Sequence, residues 1–156
     1  MGSHLDSDEL DRRIILELLK DARLSFRELS KKTKCSVVTV AKRIRKMEKQ
    51  GVVKGYSAIV DQEKLGYELT TVTEVTVSKG KLLEVQKEIA NMPFVCAVYD
   101  VTGAEDSIVI SKFRNREEVS NFTKGILALP HVERTNTHVV LNTCKEDFRY
   151  PAVVQR

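Results

Sequence analysis

The chain reads as an α+β protein, with an N-terminal half of three helices and a following strand, and a C-terminal half built strand, helix, strand, strand, helix, strand. Three observations carry this. Apolar residues recur at helical spacing through the first fifty positions, whereas β-branched runs separated by turn signals dominate later. The net positive charge is confined to one part: residues 1–60 hold 14 Lys/Arg against 8 Asp/Glu, and residues 61–156 hold 12 against 14. Finally, Met92-Pro93-Phe94-Val95 returns 37 positions later as Leu129-Pro130-His131-Val132.

At the start, Met1-Gly2-Ser3-His4 reads as a cloning remnant, leaving 5–60 as the first domain. Leu10, Ile14, Ile15, Leu18 and Leu19 predict a helix ending near Asp21-Ala22. Asp8, Glu9 and Asp11 stand at its beginning, where the helix dipole favours negative charge. Ser25-Phe26-Arg27-Glu28 has the spacing of a capping box and opens a short second helix expected to bury Phe26 and Leu29. Thr33-Lys34-Cys35 makes a turn. Ser36 then caps a third helix running to about Gln50, where Gly51 supplies a left-handed stop.

The third helix has two unlike faces. Val37, Val40, Ile44 and Met47 share the side expected to pack on the first two helices. Val38, Thr39, Lys42, Arg45, Lys46 and Lys49 share the other, with Ser36 at the tip and Arg43 at the border. A short helix, a tight turn and a longer helix with a cationic outer face form the geometry that enters a DNA major groove. Residues 52–60 are β-branched and aromatic and are expected to form a strand, as a wing or connector; 61–68, polar and containing Gly66, is the expected linker.

The second domain is placed at 69–144, with 145–156 as a tail. Leu69–Val77, Phe94–Val101, Ser107–Phe113 and Val132–Leu141 read as strands. Leu82, Val85 and Ile89 mark one helix; Val119, Phe122 and Ile126 mark a second, opened by Asn115. Each proline of the repeat halts a helix, since it lacks an N–H and drives the preceding residue to extended geometry. Two strand-helix-strand halves with matching exits predict a ferredoxin-like βαββαβ sandwich, its helices on one sheet face. The other face carries Thr and Val and calls for a cover, which self-association supplies.

Other classes of protein fit poorly. Three dispersed cysteines without a C-x-x-C pair argue against a disulfide framework or a zinc site. His131 and His138 lack metal-ligand spacing. Asp100 and Asp106 flank a hairpin with no nucleophile or phosphate loop nearby, so no catalytic residue, metal or cofactor is expected. No apolar run approaches a membrane span and no signal peptide is visible, so a cytoplasmic protein is expected.

An ordered set of segments resembles the leucine-responsive regulator and asparagine-regulator (Lrp/AsnC) family over nearly the whole chain. Its carriers include Leu10-Asp11-Arg12-Arg13-Ile14-Ile15, Asp21-Ala22-Arg23 and the run from Arg43 to Tyr56. Leu65-Gly66-Tyr67, Val101-Thr102-Gly103 with Asp106, and Val132-Glu133-Arg134-Thr135-Asn136-Thr137 complete it. The resemblance implies a prokaryotic transcription regulator: a winged helix-turn-helix, a ligand-sensing assembly domain, even-numbered homo-oligomers of at least two chains, and amino-acid effectors. It also implies an effector loop with a G-x-x-D signature, matched by Gly103-Ala104-Glu105-Asp106, and a nearby role for Glu133. This chain departs from many relatives in having Glu105 and Ser107 where an aromatic often adjoins the aspartate.

On double-stranded DNA, Ser36, Val38, Thr39 and Lys42 are the candidates for base edges, with Val38 suited to a thymine methyl and Lys42 to a guanine. Arg43, Lys46 and Lys54 are the candidates for phosphates. For the effector, Gly103, Asp106 and Glu133 are the candidates. The carboxylates of Glu105, Asp106 and Glu133 suggest a cationic side chain on it. Two other functions stay open: a DNA-packing protein with little sequence preference, and a sensor acting through a protein partner.

Overall fold

A computed structural model describes residues 9–149. They fold as two compact units, 9–59 with 145–149 and Val60–Cys144.

The first unit holds α1 (Glu9–Lys20), α2 (Phe26–Thr33) and α3 (Val37–Lys49). Its core is Ile14, Leu29, Val40, Ile44 and Met47, one or more from each helix. The capping box forms as the sequence predicts. Ser25 Oγ accepts the Glu28 N–H at 3.3 Å, and Glu28 Oε2 accepts the Ser25 N–H at 2.8 Å. The Ser25 hydroxyl, and after it the Ser25 N–H, hold the Glu28 carboxyl below its usual range. Lys34 turns the chain in the left-handed conformation, φ 56°, and Arg13 fastens this turn to α1 by donating to the Thr33 carbonyl at 2.6 Å.

Two expectations for this unit require correction. Phe26 and Val37 are 40% and 42% exposed, not buried. Each is the first residue of its helix, where a side chain overhangs the end of the bundle. Residues 52–60, expected as a strand, form none: Val52 and Val53 give their N–H groups to the Met47 carbonyl, and no strand of the described sheet pairs with 54–60. The described part of the tail, 145–149, belongs to this unit: Arg149 donates to the Leu19 carbonyl at 3.3 Å.

The second unit is a four-stranded antiparallel sheet ordered β2-β3-β1-β4, from β1 (Leu69–Val77), β2 (Val95–Asp100), β3 (Ser107–Phe113) and β4 (Val132–Val139). Helices α4 (Leu82–Ala90) and α5 (Arg116–Leu127) cover one face. This is the βαββαβ order that the sequence predicts. Val75, Val77, Val109 and Phe113 meet Val85, Ile89, Phe122 and Ile126 in the core. Asn115 caps α5 by accepting the Glu118 N–H at 2.9 Å. Register places Val72, Ile108, Ile110, Ala97 and Tyr99 on the face away from the helices, beside Glu74, Asn136 and His138.

Both repeat exits adopt one conformation. Phe94 and His131, each directly after a proline, have φ of 72°. The Phe94 carbonyl accepts the Lys112 N–H at 3.0 Å and the His131 carbonyl accepts the Ser78 N–H at 2.9 Å. Two residues later the register of each strand slips, leaving Cys96 in β2 and Glu133 in β4 as the extra residue of a bulge.

Candidate functional site

The outer face of α3 emerges from local rules. Ser36 ends the extended approach to the helix, its Oγ accepting the Thr39 N–H at 3.0 Å and lying 2.8 Å from Thr39 Oγ1. Burying Val40, Ile44 and Met47 then forces Val38, Lys42 and Lys46 outward. Val38 is 77% exposed, a β-branched apolar side chain held in water on a rigid helix. Together Val38, Thr39, Lys42, Arg43 and Lys46 line one shallow concavity of about 520 Å³.

Of the predicted DNA-facing residues, Arg43 lines this concavity yet also contacts α1, and Lys54 lies outside it. Arg43 reaches back to buried Asp11, Nη1 lying 3.5 Å from Oδ2, and so ties α3 to α1. Sequence position marks Asp11 only as a dipole partner at the start of α1 and does not reveal this pair. Its one signal is the joint presence of the two residues in the helical pattern, 32 positions apart. Lys54 lines a different cavity, formed by the end of α1 and residues 52–59. Tyr56 in that stretch donates to Glu48 Oε1 at 2.9 Å, and burial, with the Glu48 contact after it, pushes its hydroxyl above the usual range.

Two of the effector candidates, Asp106 and Glu133, fall beside the β4 bulge. Val77, whose register shifts there, donates its N–H to Asp106 Oδ2 at 2.8 Å. The Asp106 N–H in turn bonds the Val75 carbonyl at 3.1 Å. Glu133, the bulged residue, is exposed next to Val132, which pairs with Val77. Gly103 has φ of 137°, a conformation that disfavours any side chain, and a Cβ there would meet nothing within 4 Å. Glycine is therefore required by the backbone of this hairpin itself, independently of any ligand.

Glu105 accepts the Thr76 hydroxyl and pairs with Arg134 at 2.5 Å, and Asp106 already accepts the Val77 N–H. Glu133 is exposed, whereas Glu105 and Asp106 are half-buried. Among the described residues no group of three His, Cys, Asp or Glu could hold a metal ion, and no helix is long and apolar enough to cross a membrane.

Known proteins share this two-part layout. Residues 7–54 match the winged helix-turn-helix DNA-binding family, and residues 70–150 match the Lrp/AsnC ligand binding domain. An uncharacterised HTH-type transcriptional regulator of Pyrococcus furiosus is 46% identical over 145 residues, 93% of this chain and 98% of that protein. The HTH-type transcriptional regulator FL11 of Pyrococcus horikoshii is 40% identical over 144 residues, 92% of this chain and 95% of that protein. Among solved structures, Bacillus subtilis LrpC superposes with a TM-score of 0.78 at 33% identity, covering 90% of this chain and 98% of LrpC. A Neisseria meningitidis regulator solved as a complex with L-Met gives 0.81 over 90% of this chain and 94% of that one; at 24% identity it speaks to the fold alone. The chain belongs to the Lrp/AsnC family, which consists of DNA-binding transcription regulators and not enzymes.

Proposed function

We propose that this DNA-binding regulator recognises a specific operator through the outer face of α3 and that a small amino-acid effector, bound around Gly103, Asp106 and Glu133, changes its assembly or its DNA affinity. The observation that carries the DNA half is the concavity of Val38, Thr39, Lys42 and Lys46 opposite the buried face of α3. Thr39 and Lys42 face base edges, Val38 contacts a thymine methyl, and Lys46 takes a phosphate. Ser36 acts mainly as the cap that orients this tip, and Arg43 mainly as the strut that fixes α3 against α1. Lys54, on another surface of the unit, contacts flanking phosphate.

The effector half is supported by the match of 70–150 to a ligand binding domain and by the meeting of Asp106 and Glu133 at one bulge. Asp106 Oδ1 is directed to an α-ammonium group while Oδ2 holds Val77. The apolar strip Val72, Ile108 and Ile110 on the uncovered sheet face is buried against a second copy. A dimer then offers two α3 helices to major grooves one turn apart, roughly 34 Å. Effector and DNA affinities change by one common factor, as linkage demands.

Selecting bound DNA from a random pool, then measuring light scattering with each of the twenty amino acids, tests the proposal. A recurrent pseudo-palindromic site and a change of mass with one class of amino acid are expected. DNA recovered without sequence preference would leave the packing function instead.

A further inference from the structure

Asp11 is 3% exposed, the one charged side chain buried among the described residues. Its place follows from the helical pattern. Asp11 stands one turn before Ile14 on the core face of α1, and Arg43 directly precedes Ile44 of the same core. The helix dipole does not require this burial, since exposed Glu9 serves the same first turn. A carboxylate taken out of water demands a cation. Arg43 Nη1 supplies it at 3.5 Å from Oδ2, the limit of a hydrogen bond, while Oδ1 has no hydrogen-bond partner among the described residues. Such a pair serves stability poorly, because apolar side chains in its place would leave no buried oxygen unpaired.

The cation of the pair belongs to the DNA-binding surface. Arg43 lines the concavity of α3 together with Val38, Thr39, Lys42 and Lys46. A guanidinium carries its N–H donors in one rigid plane, so a carboxylate that draws in one edge also fixes where the others point. We propose that Asp11 is a positioning residue for DNA binding: from α1 it orients the Arg43 guanidinium to meet a backbone phosphate at the concavity. This rests on the reading of the outer face of α3 as the DNA surface. Lysine does not suit the place of Arg43, because an ammonium on a flexible stem has no plane to orient. Asp11 itself, buried and repelled by phosphate, acts only through Arg43.

Anisotropy titration of the full chain on a random-sequence DNA duplex, repeated over a salt series, tests it. Circular dichroism checks that each variant is folded at the working temperature. Asp11→Asn keeps the shape of the side chain and removes a negative charge. Bulk electrostatics alone would make this variant bind DNA more tightly, whereas positioning predicts binding about fivefold weaker. Arg43→Lys, which keeps the charge and loses the plane, should bind as Asp11→Asn does. Arg43→Gln should lower the salt slope by roughly 1, and so should the double variant with Asp11→Asn. The double variant leaves no buried charge unpaired and should stay folded even where Arg43→Gln does not. Once Arg43→Gln is in place, adding Asp11→Asn should change affinity by less than about twofold. Unchanged or tighter binding by Asp11→Asn would overturn the proposal, as would an equal loss in both backgrounds or a slope that survives the loss of Arg43. Lys46→Ala reports on the face itself. If its slope equals that of the wild type, the α3 reading fails and this proposal with it; a lowered slope beside an inert Asp11→Asn overturns the positioning role alone.

Discussion

Phe94 and His131 occupy equivalent places in a doubled exit: each succeeds a proline, each has φ of 72°, and each hands its carbonyl to the N–H of a neighbouring segment. Because a side chain disfavours that backbone, the two sites separate conformational cost from packing gain. Phe94 offsets the cost by packing against Phe113 in a tilted pair, with ring centroids 5.5 Å apart, whereas His131 is exposed. His131→Gly should therefore leave stability within about 0.5 kcal/mol or raise it, while Phe94→Gly should cost about 1–3 kcal/mol. Denaturant titration of the full chain measures both.

Arg43 and Lys46 look alike in sequence but differ in what they hold. Arg43→Ala strips the cation from a buried Asp11 and should destabilise the first unit by about 1–3 kcal/mol. Lys46→Ala should leave stability unchanged and lower the salt slope of DNA binding by roughly 1. Thermal unfolding alongside a salt titration distinguishes them.

Asp106→Ala removes both a proposed ligand group and the acceptor of the Val77 N–H. Loss of stability by about 1–2 kcal/mol is expected, which would obscure any binding result. Asp106→Asn keeps an oxygen for Val77 and loses the charge. Calorimetric titration with amino acids should show Asp106→Asn folded as wild type yet deficient in effector binding; undiminished binding would place the ligand elsewhere.

Acid should loosen the first unit through its carboxylates. Arg23 hydrogen-bonds Asp21 and lowers its carboxyl from 3.8 to about 2, and Lys20 with Lys32 lowers Glu17. A carboxyl whose pKa is depressed on folding contributes stability above its unfolded pKa and loses it as pH falls through the folded value. Asp21→Asn should accordingly flatten the stability profile between about pH 4 and pH 2, the window bounded by those two values. Circular dichroism during acid titration reads this directly.

The elements legible in the sequence are those whose signals are local. Ser25 and Glu28 lie within one turn, and the alternation of β1 and β3 is carried by their own side chains. Val52 to Val60 has strand composition but no strand to pair with, because pairing is a property of the neighbour. Likewise the Glu105–Arg134 pair depends on a bulge at Glu133, and Asp11 is buried only because α3 closes over it. The cationic face of α3 is visible from spacing alone; the contact of Arg43 with Asp11 requires the third dimension.

Whether α3 reads sequence is tested most directly by a competition assay. Affinity for a selected operator is measured against random DNA at fixed salt, for wild type and Lys42→Ala. The wild type should prefer its operator by about 10³ or more, and Lys42→Ala should surrender about 1–3 kcal/mol of that preference while keeping most of its random-DNA affinity. An equal loss on both DNAs, or no preference in the wild type, would contradict sequence reading by α3.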